Sequence, residues 1–202
     1  MSNQINHPFR NKILDAQKNI PTPTYKKMHE MLLKTDFNFE EYLSKFNWEN
    51  IPNNAEYKSS LKLLQTANDS TEIYIKQLND ELSIFIHNLC NNFLNFTVYD
   101  AALMKQPKGS LSLNHVDQHG NFRKRYGLID KIKPDEIYNK IQRYWMSCTD
   151  RKHGQYFEVN GIPLDWKAGE LYKFSANFPH CGGTLAEEPR IFIVITGTNL
   201  NH

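Results

Sequence analysis

The sequence predicts an α+β chain dominated by β structure, in which residues 96–202 form an antiparallel sandwich or jelly roll and residues 1–95 supply a helical layer on one of its faces. Three observations carry that expectation. At 202 residues the chain is long enough for one domain with a substantial core and too short for two full-sized ones. Twelve Phe, ten Tyr and three Trp within a 40% hydrophobic composition provide core material that a disordered chain lacks. The apolar period changes near Asn95, from threes and fours before it to alternation after it.

Taken in order, residues 1–22 are polar and interrupted by Pro8 and Pro21, with Pro23 close behind, which predicts an irregular surface arm. From Thr24, Tyr25, Met28, Met31 and Leu32 recur at helical spacing, and a second set through Leu61, Leu63 and Leu64 follows the polar IPNNAE stretch. Ser70 stands where a helix cap would. After it, Ile73, Ile75, Leu78, Leu82, Phe85, Ile86, Leu89, Cys90 and Phe93 trace an apolar stripe that predicts a third helix. Beyond Asn95, short runs rich in β-branched and aromatic residues are separated by Gly, Pro, Asn and Asp. These predict strands near 96–105, 110–116, 122–129, 141–149, 155–159, 169–175, 179–185 and 190–198. Eight short strands with no helical pattern between them favour a jelly roll over a parallel α/β sheet. Residues 1–95, the arm and supporting helices, and residues 96–202, the β core, are expected to fold as one unit.

Several function classes are disfavoured at this level. A formal charge of +2 gives no basis for binding nucleic acid or an anionic membrane. The longest apolar runs, such as Ile191–Ile195, fall far short of the ~20 residues of a membrane-spanning helix. The first twenty residues lack the apolar stretch of a secretory signal, and three cysteines without CxxC spacing suit a reducing cytoplasm. Nucleotide-binding GxxxxGK[ST] and GxGxxG, zincin HExxH and hydrolase GxSxG patterns do not occur.

Chemistry concentrates in two short segments: His115 and Asp117 in LNHVD, and His180 in FPHCGG. On a strand, positions i and i+2 share a face, so His115 and Asp117 project together, and a third ligand must come from a facing strand. Two imidazoles and a carboxylate can occupy one face of an octahedral Fe(II) and leave three adjacent positions open. Composition alone yields about one H-x-[D/E] in such a chain, so HVD draws its weight from its surroundings. Before it runs KQPKGSLSLN, a Pro/Gly turn entering an alternating strand. Far downstream, a Gly-Glu turn, then Pro-His, then Arg190 ten positions after His180 each open a strand.

That order of H-x-D, G-[D/E], P-H and a late Arg resembles the Fe(II)- and 2-oxoglutarate-dependent dioxygenases, over Val98 to Thr198. The resemblance implies a double-stranded β-helix, the jelly-roll core shared with cupins. It also implies that His115, Asp117 and His180 ligate Fe(II) and that Arg190 grips the distal carboxylate of 2-oxoglutarate. A guanidinium fork suits a carboxylate in bidentate fashion. The implied reaction takes O2 and hydroxylates an unactivated C–H bond of a small polar metabolite, amino acid or peptide residue, releasing succinate and CO2. Many relatives place a Ser or Thr two residues after this Arg, where Phe192 stands here, so Thr196, Tyr144 and Gln106 are the candidate replacements. Asp117 disfavours halogenation, which in relatives goes with a small residue at that position.

Two rivals stay open: a cupin-like metal oxygenase that does not use 2-oxoglutarate, and a jelly-roll binding module without catalysis. Other features read less sharply. Arg123, Lys124, Arg125, Lys131 and Lys133 could steer an anionic substrate or form a solvated hairpin. His119 is close to the motif, whereas His153 and the more distant histidines fit surface or core roles. Cys181 would face away from the ligands, and Cys90 and Cys148 read as small core hydrophobes.

Overall fold

A computed structural model of the chain describes residues 29–46, 48, 72–75, 81–117 and 119–201. Ten strands form two antiparallel sheets: β1 (His29–Lys34), β2 (Glu72–Ile75), β3 (Val98–Gln106), β4 (Leu111–His115), β5 (Gln142–Ser147), β6 (Gln155–Val159), β7 (Ile162–Pro163), β8 (Glu170–Phe174), β9 (His180–Thr184) and β10 (Arg190–Thr198). The larger sheet has the order β1-β8-β5-β10-β3-β2 and the smaller β4-β9-β6-β7. From β3 onward the chain passes back and forth between the sheets, with only the β6–β7 hairpin staying within the smaller one, which is the winding of a jelly roll. Helices α1 (Phe39–Lys45) and α2 (Glu81–Asn88) lie before the core; α3 (Gly120–Arg125) and α4 (Ile137–Lys140) lie between β4 and β5. Among the described residues no helix is long and apolar enough to cross a membrane.

Strand alternation sorts the core into two layers. On β10, Phe192 and Val194 join Trp145, Phe157, Val159, Trp166, Tyr172 and Phe174 between the sheets. Their neighbours Ile191, Ile193 and Ile195 face the other way, with Leu103, Tyr144, Met146 and Leu171, under Phe39, Tyr42, Leu82, Ile86, Leu89 and Cys90. A helical layer therefore covers the outer face of the larger sheet. It closes so tightly over Gly197 that a Cβ there would stand 2.3 Å from the Phe96 ring. A third cluster, Phe122, Leu128, Ile132, Ile137 and Ile141, anchors the connection from β4 to β5.

Three local expectations are corrected. Met31 and Leu32 lie in β1, not in a helix, and Tyr25 and Met28 fall outside the described residues. The contiguous Met31-Leu32-Leu33 run has no period of its own, and pairing along the edge of β8 satisfies its backbone. Ile73 and Ile75 lie in β2, paired to β3, so the stripe expected to form one helix is divided. A spacing of two suits a strand as well as it suits part of a helical pattern. The helix proper begins at Glu81 and ends in a π turn, Leu89–Phe93, whose extra residue buries Leu89 and Cys90 and leaves Phe93 exposed. Ser70, Leu61, Leu63, Leu64 and Leu78 lie outside the described residues.

The strand expected at 122–129 is helix α3 followed by a turn. Positive φ at His119 (53°) and Gly127 (61°) brackets the segment and prevents an extended run. Strand β7, absent from the sequence-based expectation, is two residues long and is turned back onto β6 by Asn160 and Gly161, both at positive φ.

Candidate metal centre

His115 ends β4 and His180 begins β9, and the two are direct partners in the antiparallel ladder. Their ring centroids stand 4.4 Å apart. Asp117 follows two residues later, beyond the strand, and its backbone N–H donates to Ala176 O at 3.1 Å, tying it to the turn that leads into His180. Asp117 Oδ1 lies 4.0 Å from His115 Nε2, and Oδ2 lies 3.5 Å from His180 Nε2. All three potential ligand atoms fall within 4.8 Å of one another. No other such group of three occurs among the described residues.

The protonation states suit metal binding. His180 is 5% exposed and packs against the rings of Phe174 and Phe157. Burial pushes its pKa down to about 4, against the opposing pull of Asp117. Its Nδ1 lies 3.0 Å from Phe178 O, which fixes the proton on Nδ1 and directs the Nε2 lone pair toward Asp117. Burial alone would raise the Asp117 pKa, but Arg143, His180, His119 and His115 together hold it below the usual carboxylate value. Arg143 Nε is 3.0 Å from Asp117 Oδ2, yet Oδ2 is buried with no hydrogen-bond partner among the described residues. The N–H is near the oxygen but not aimed at it. The neutral His180 imidazole, the His115 ring facing it and an ionised carboxylate with a spare oxygen make a donor set that fits a divalent metal.

Arg190, the first residue of β10, is 2% exposed and lies opposite Gln106. Its Nη1 donates to Tyr156 O at 2.7 Å, and its guanidinium stands 4.6 Å from the Phe192 ring centre and 5.5 Å from that of Phe157. It fills the space over Gly182, two positions beyond His180 on β9, where a Cβ would come within 2.6 Å of Nη1. Arg190 and His180 therefore share the barrel interior.

The candidate hydroxyl partners separate by face and by position along the strand. Tyr144 belongs to the outer layer with its hydroxyl on Gln142, and Thr196 accepts from Arg143 Nη1 at 2.7 Å. Gln106 is fully buried beside Arg190, donates Nε2 to Gly182 O at 3.3 Å and keeps an Oε1 with no hydrogen-bond partner among the described residues.

Sequence reasoning missed Arg143, which joins Asp117 to Thr196. Its one signal was a charged residue sharing a strand face with Trp145, and the flanking alternation of QRYWMS did not say which face was inward. His119, buried at left-handed φ with an Nε2 that has no partner among the described residues, sits close enough to feel Arg143, Asp117 and His180. The basic segment is in part structural: Arg123 donates to Ile129 O and Ile132 O, and Arg125 pairs with Asp100 at 2.6 Å. Cys181 turns away from the ligands and donates Sγ–H to Glu158, where burial and that contact raise its thiol to about 12.

No protein-family model matches the chain, and no curated protein matches it in sequence. Solved structures do match. A prolyl-4-hydroxylase from Pseudomonas putida is similar with a TM-score of 0.51 and 12% identity, over 85% of this chain and 92% of that one. An uncharacterised conserved protein with a double-stranded β-helix domain from Klebsiella pneumoniae matches 70% of this chain and 88% of its own with a TM-score of 0.37 and 13% identity. A cupin 2 conserved barrel domain protein from Salinispora arenicola matches 66% and 80%, with a TM-score of 0.35 and 10% identity. At such identities the likeness is one of fold, and the match to the prolyl-4-hydroxylase agrees with the two-sheet winding of a jelly-roll, double-stranded β-helix.

Proposed function

We propose that the protein is a non-haem Fe(II)- and 2-oxoglutarate-dependent dioxygenase that hydroxylates a small polar substrate. The observation that carries the reading is the convergence of His115, Asp117 and His180 at the barrel mouth, with Arg190 buried in the same interior over Gly182, which lies two strand positions from His180. A ferrous ion with 2-oxoglutarate and O2 supplies the oxidising power, so that substrate C–H, 2-oxoglutarate and O2 become substrate C–OH, succinate and CO2.

The chain's own residues bind, orient and shield. His115, Asp117 and His180 would hold the metal, two imidazole nitrogens and one carboxylate oxygen being a ligand set that suits Fe(II). Arg143 neutralises Asp117 and keeps its carboxylate ionised without occupying Oδ2. Arg190 presents a charged fork for the distal carboxylate of 2-oxoglutarate, and Gln106 stands beside it in place of the hydroxyl that Phe192 lacks. Phe157 and Phe174 pack on the His180 ring and keep that side dry, which strengthens the charge interactions in the site.

The test is anaerobic. Addition of Fe(II) and then 2-oxoglutarate to metal-free protein should produce the weak visible charge-transfer band of a chelated 2-keto acid, and Arg190→Ala should weaken 2-oxoglutarate binding at least tenfold. A second reading, a cupin-like oxygenase that binds its substrate on the metal without 2-oxoglutarate, draws on the commitment of Arg190 to Tyr156 O and its enclosure by aromatic rings. Bound iron with no band would select that reading; no bound iron would contradict both.

A further inference from the structure

Arg143 meets the candidate metal centre without offering it a donor atom. It shares the inner face of β5 with Trp145, and its Nε lies 3.0 Å from Asp117 Oδ2. A guanidinium has no lone pair to give, so what it brings to the ligand set is charge. Its Nη1 donates at 2.7 Å to Thr196 Oγ1, on the residue opposite it in the β5–β10 ladder, so the larger sheet fixes where that charge sits.

The charge reaches Asp117 with little dilution. The Arg143 and Asp117 side chains are 17% and 18% exposed, so solvent ions screen the pair poorly. Asp100 and Arg125 line the same depression as Arg143, but they pair with each other at 2.6 Å, and the second Asp100 oxygen accepts from the Tyr126 hydroxyl at 2.7 Å. Asp117 carries the one negative charge of the three-residue ligand set, so that set and Arg143 together are neutral. A cation held this close repels any metal ion on the same carboxylate. The repulsion grows with the charge of the ion, so Fe(III) is disfavoured more than Fe(II).

We propose that Arg143 is a positioning residue that tunes the metal centre through Asp117, weakening its hold on divalent metal and raising its Fe(III)/Fe(II) potential, so that resting iron stays ferrous. The proposal rests on the ferrous centre of the dioxygenase reading and holds equally for a cupin-like oxygenase. In air, the electron that leaves Fe(II) goes to dissolved O2 and forms superoxide; in the measurement below it goes to an electrode-coupled mediator.

The experiment has two readouts, neither of them turnover. Mn(II) affinity of the metal-free full-length protein is measured by titration, with free Mn(II) followed by electron paramagnetic resonance. The potential of the iron-loaded protein is measured by anaerobic redox titration, with the Fe(III) resonance as the signal. Arg143→Gln should bind Mn(II) at least tenfold more tightly. Its potential should fall by at least 59 mV, the one-electron equivalent of a tenfold shift in relative affinity. Arg143→Met leaves no unpaired polar group and should behave in the same way, which keeps the test open should the glutamine variant not fold. Arg143→Lys carries its charge one bond beyond the position of the arginine Nε and should return both values toward the wild type. A merely structural role predicts the opposite for the metal, because loss of a group that steadies Asp117 weakens binding. Equal or weaker Mn(II) binding by a folded neutral variant, an unchanged or raised potential, or a lysine variant that behaves as the neutral ones would each overturn the proposal. Failure of the metal centre itself looks different: the wild type would bind no Mn(II), and the proposal would fall with it.

Discussion

Replacing Gly182 with alanine probes the placement of Arg190 by a single methyl group. An ideal Cβ at this position stands 2.6 Å from Nη1, 2.7 Å from Nη2 and 3.0 Å from Cζ of Arg190. Ordinary van der Waals contact needs about 3.5 Å, so the guanidinium must retreat by about 0.8 Å. It is 2% exposed and packed against Phe192 and Phe157, and retreat stretches the 2.7 Å bond from Nη1 to Tyr156 O past useful length. Loss of a hydrogen bond from a charged donor costs about 1.5–3 kcal/mol. Alanine offsets about 0.5–1 kcal/mol of this by its lower backbone entropy in a strand. The net expectation is about 1–2 kcal/mol of destabilisation, a fall in Tm of about 2–8 °C for a chain of this size. In the anaerobic titration, 2-oxoglutarate should bind about tenfold more weakly. Thermal melts and the charge-transfer titration read the two effects independently. An unchanged or raised Tm together with unchanged 2-oxoglutarate affinity would refute the reasoning, because the guanidinium would then be free to move without consequence.

Other outcomes follow from the same geometry. Asp117→Asn keeps the shape of the ligand but removes its charge beside Arg143, and should lower bound iron, measured by elemental analysis, at least tenfold; His180→Ala should do the same and His153→Ala should not. Metal-free protein should lose stability as pH falls from about 6.5 to 4. Burial holds His180 and His119 at about 4, so over that window the unfolded chain takes up protons the folded one refuses. The lowered Asp117 carboxyl acts in the same direction at more acid pH, and a Tm independent of pH between 7 and 4 would contradict this. Ile193→Ala should cost about 2–5 kcal/mol by urea denaturation, because Ile193 is fully buried between β10 and the helical layer.

The β core was legible where both faces of a strand are committed. Runs such as 155–159 and 190–198 end at the residues expected, since alternation there is backed by Gly and Pro at the ends. Strands β1 and β2 were not legible. They are short edge additions whose apolar spacing fits either period, and what selects the strand is an open edge on β8 or β3, a property of another segment. Helix α3 was hidden because its one apolar side chain, Phe122, joins a local cluster with Leu128 and forms no regular stripe. For the site, His115, Asp117, His180 and Arg190 could be singled out because His115 closes a strand, His180 and Arg190 each open one, and Asp117 follows His115 at a fixed spacing. Arg143 could not, since its role arises from a contact with Asp117 that crosses from one sheet to the other. The choice among Thr196, Tyr144 and Gln106 likewise waited on which face of its strand each occupies and how far along the sheet it lies from Arg190.

The measurement that bears most directly on the account is anomalous diffraction from crystals grown anaerobically with Mn(II), an oxygen-tolerant stand-in for Fe(II), and 2-oxoglutarate. The account predicts one anomalous peak, bounded by His115 Nε2, the Asp117 carboxylate and His180 Nε2, with 2-oxoglutarate density running from it toward Arg190. A peak on other residues, or a protein saturated with Mn(II) that shows no peak among these three, would contradict it.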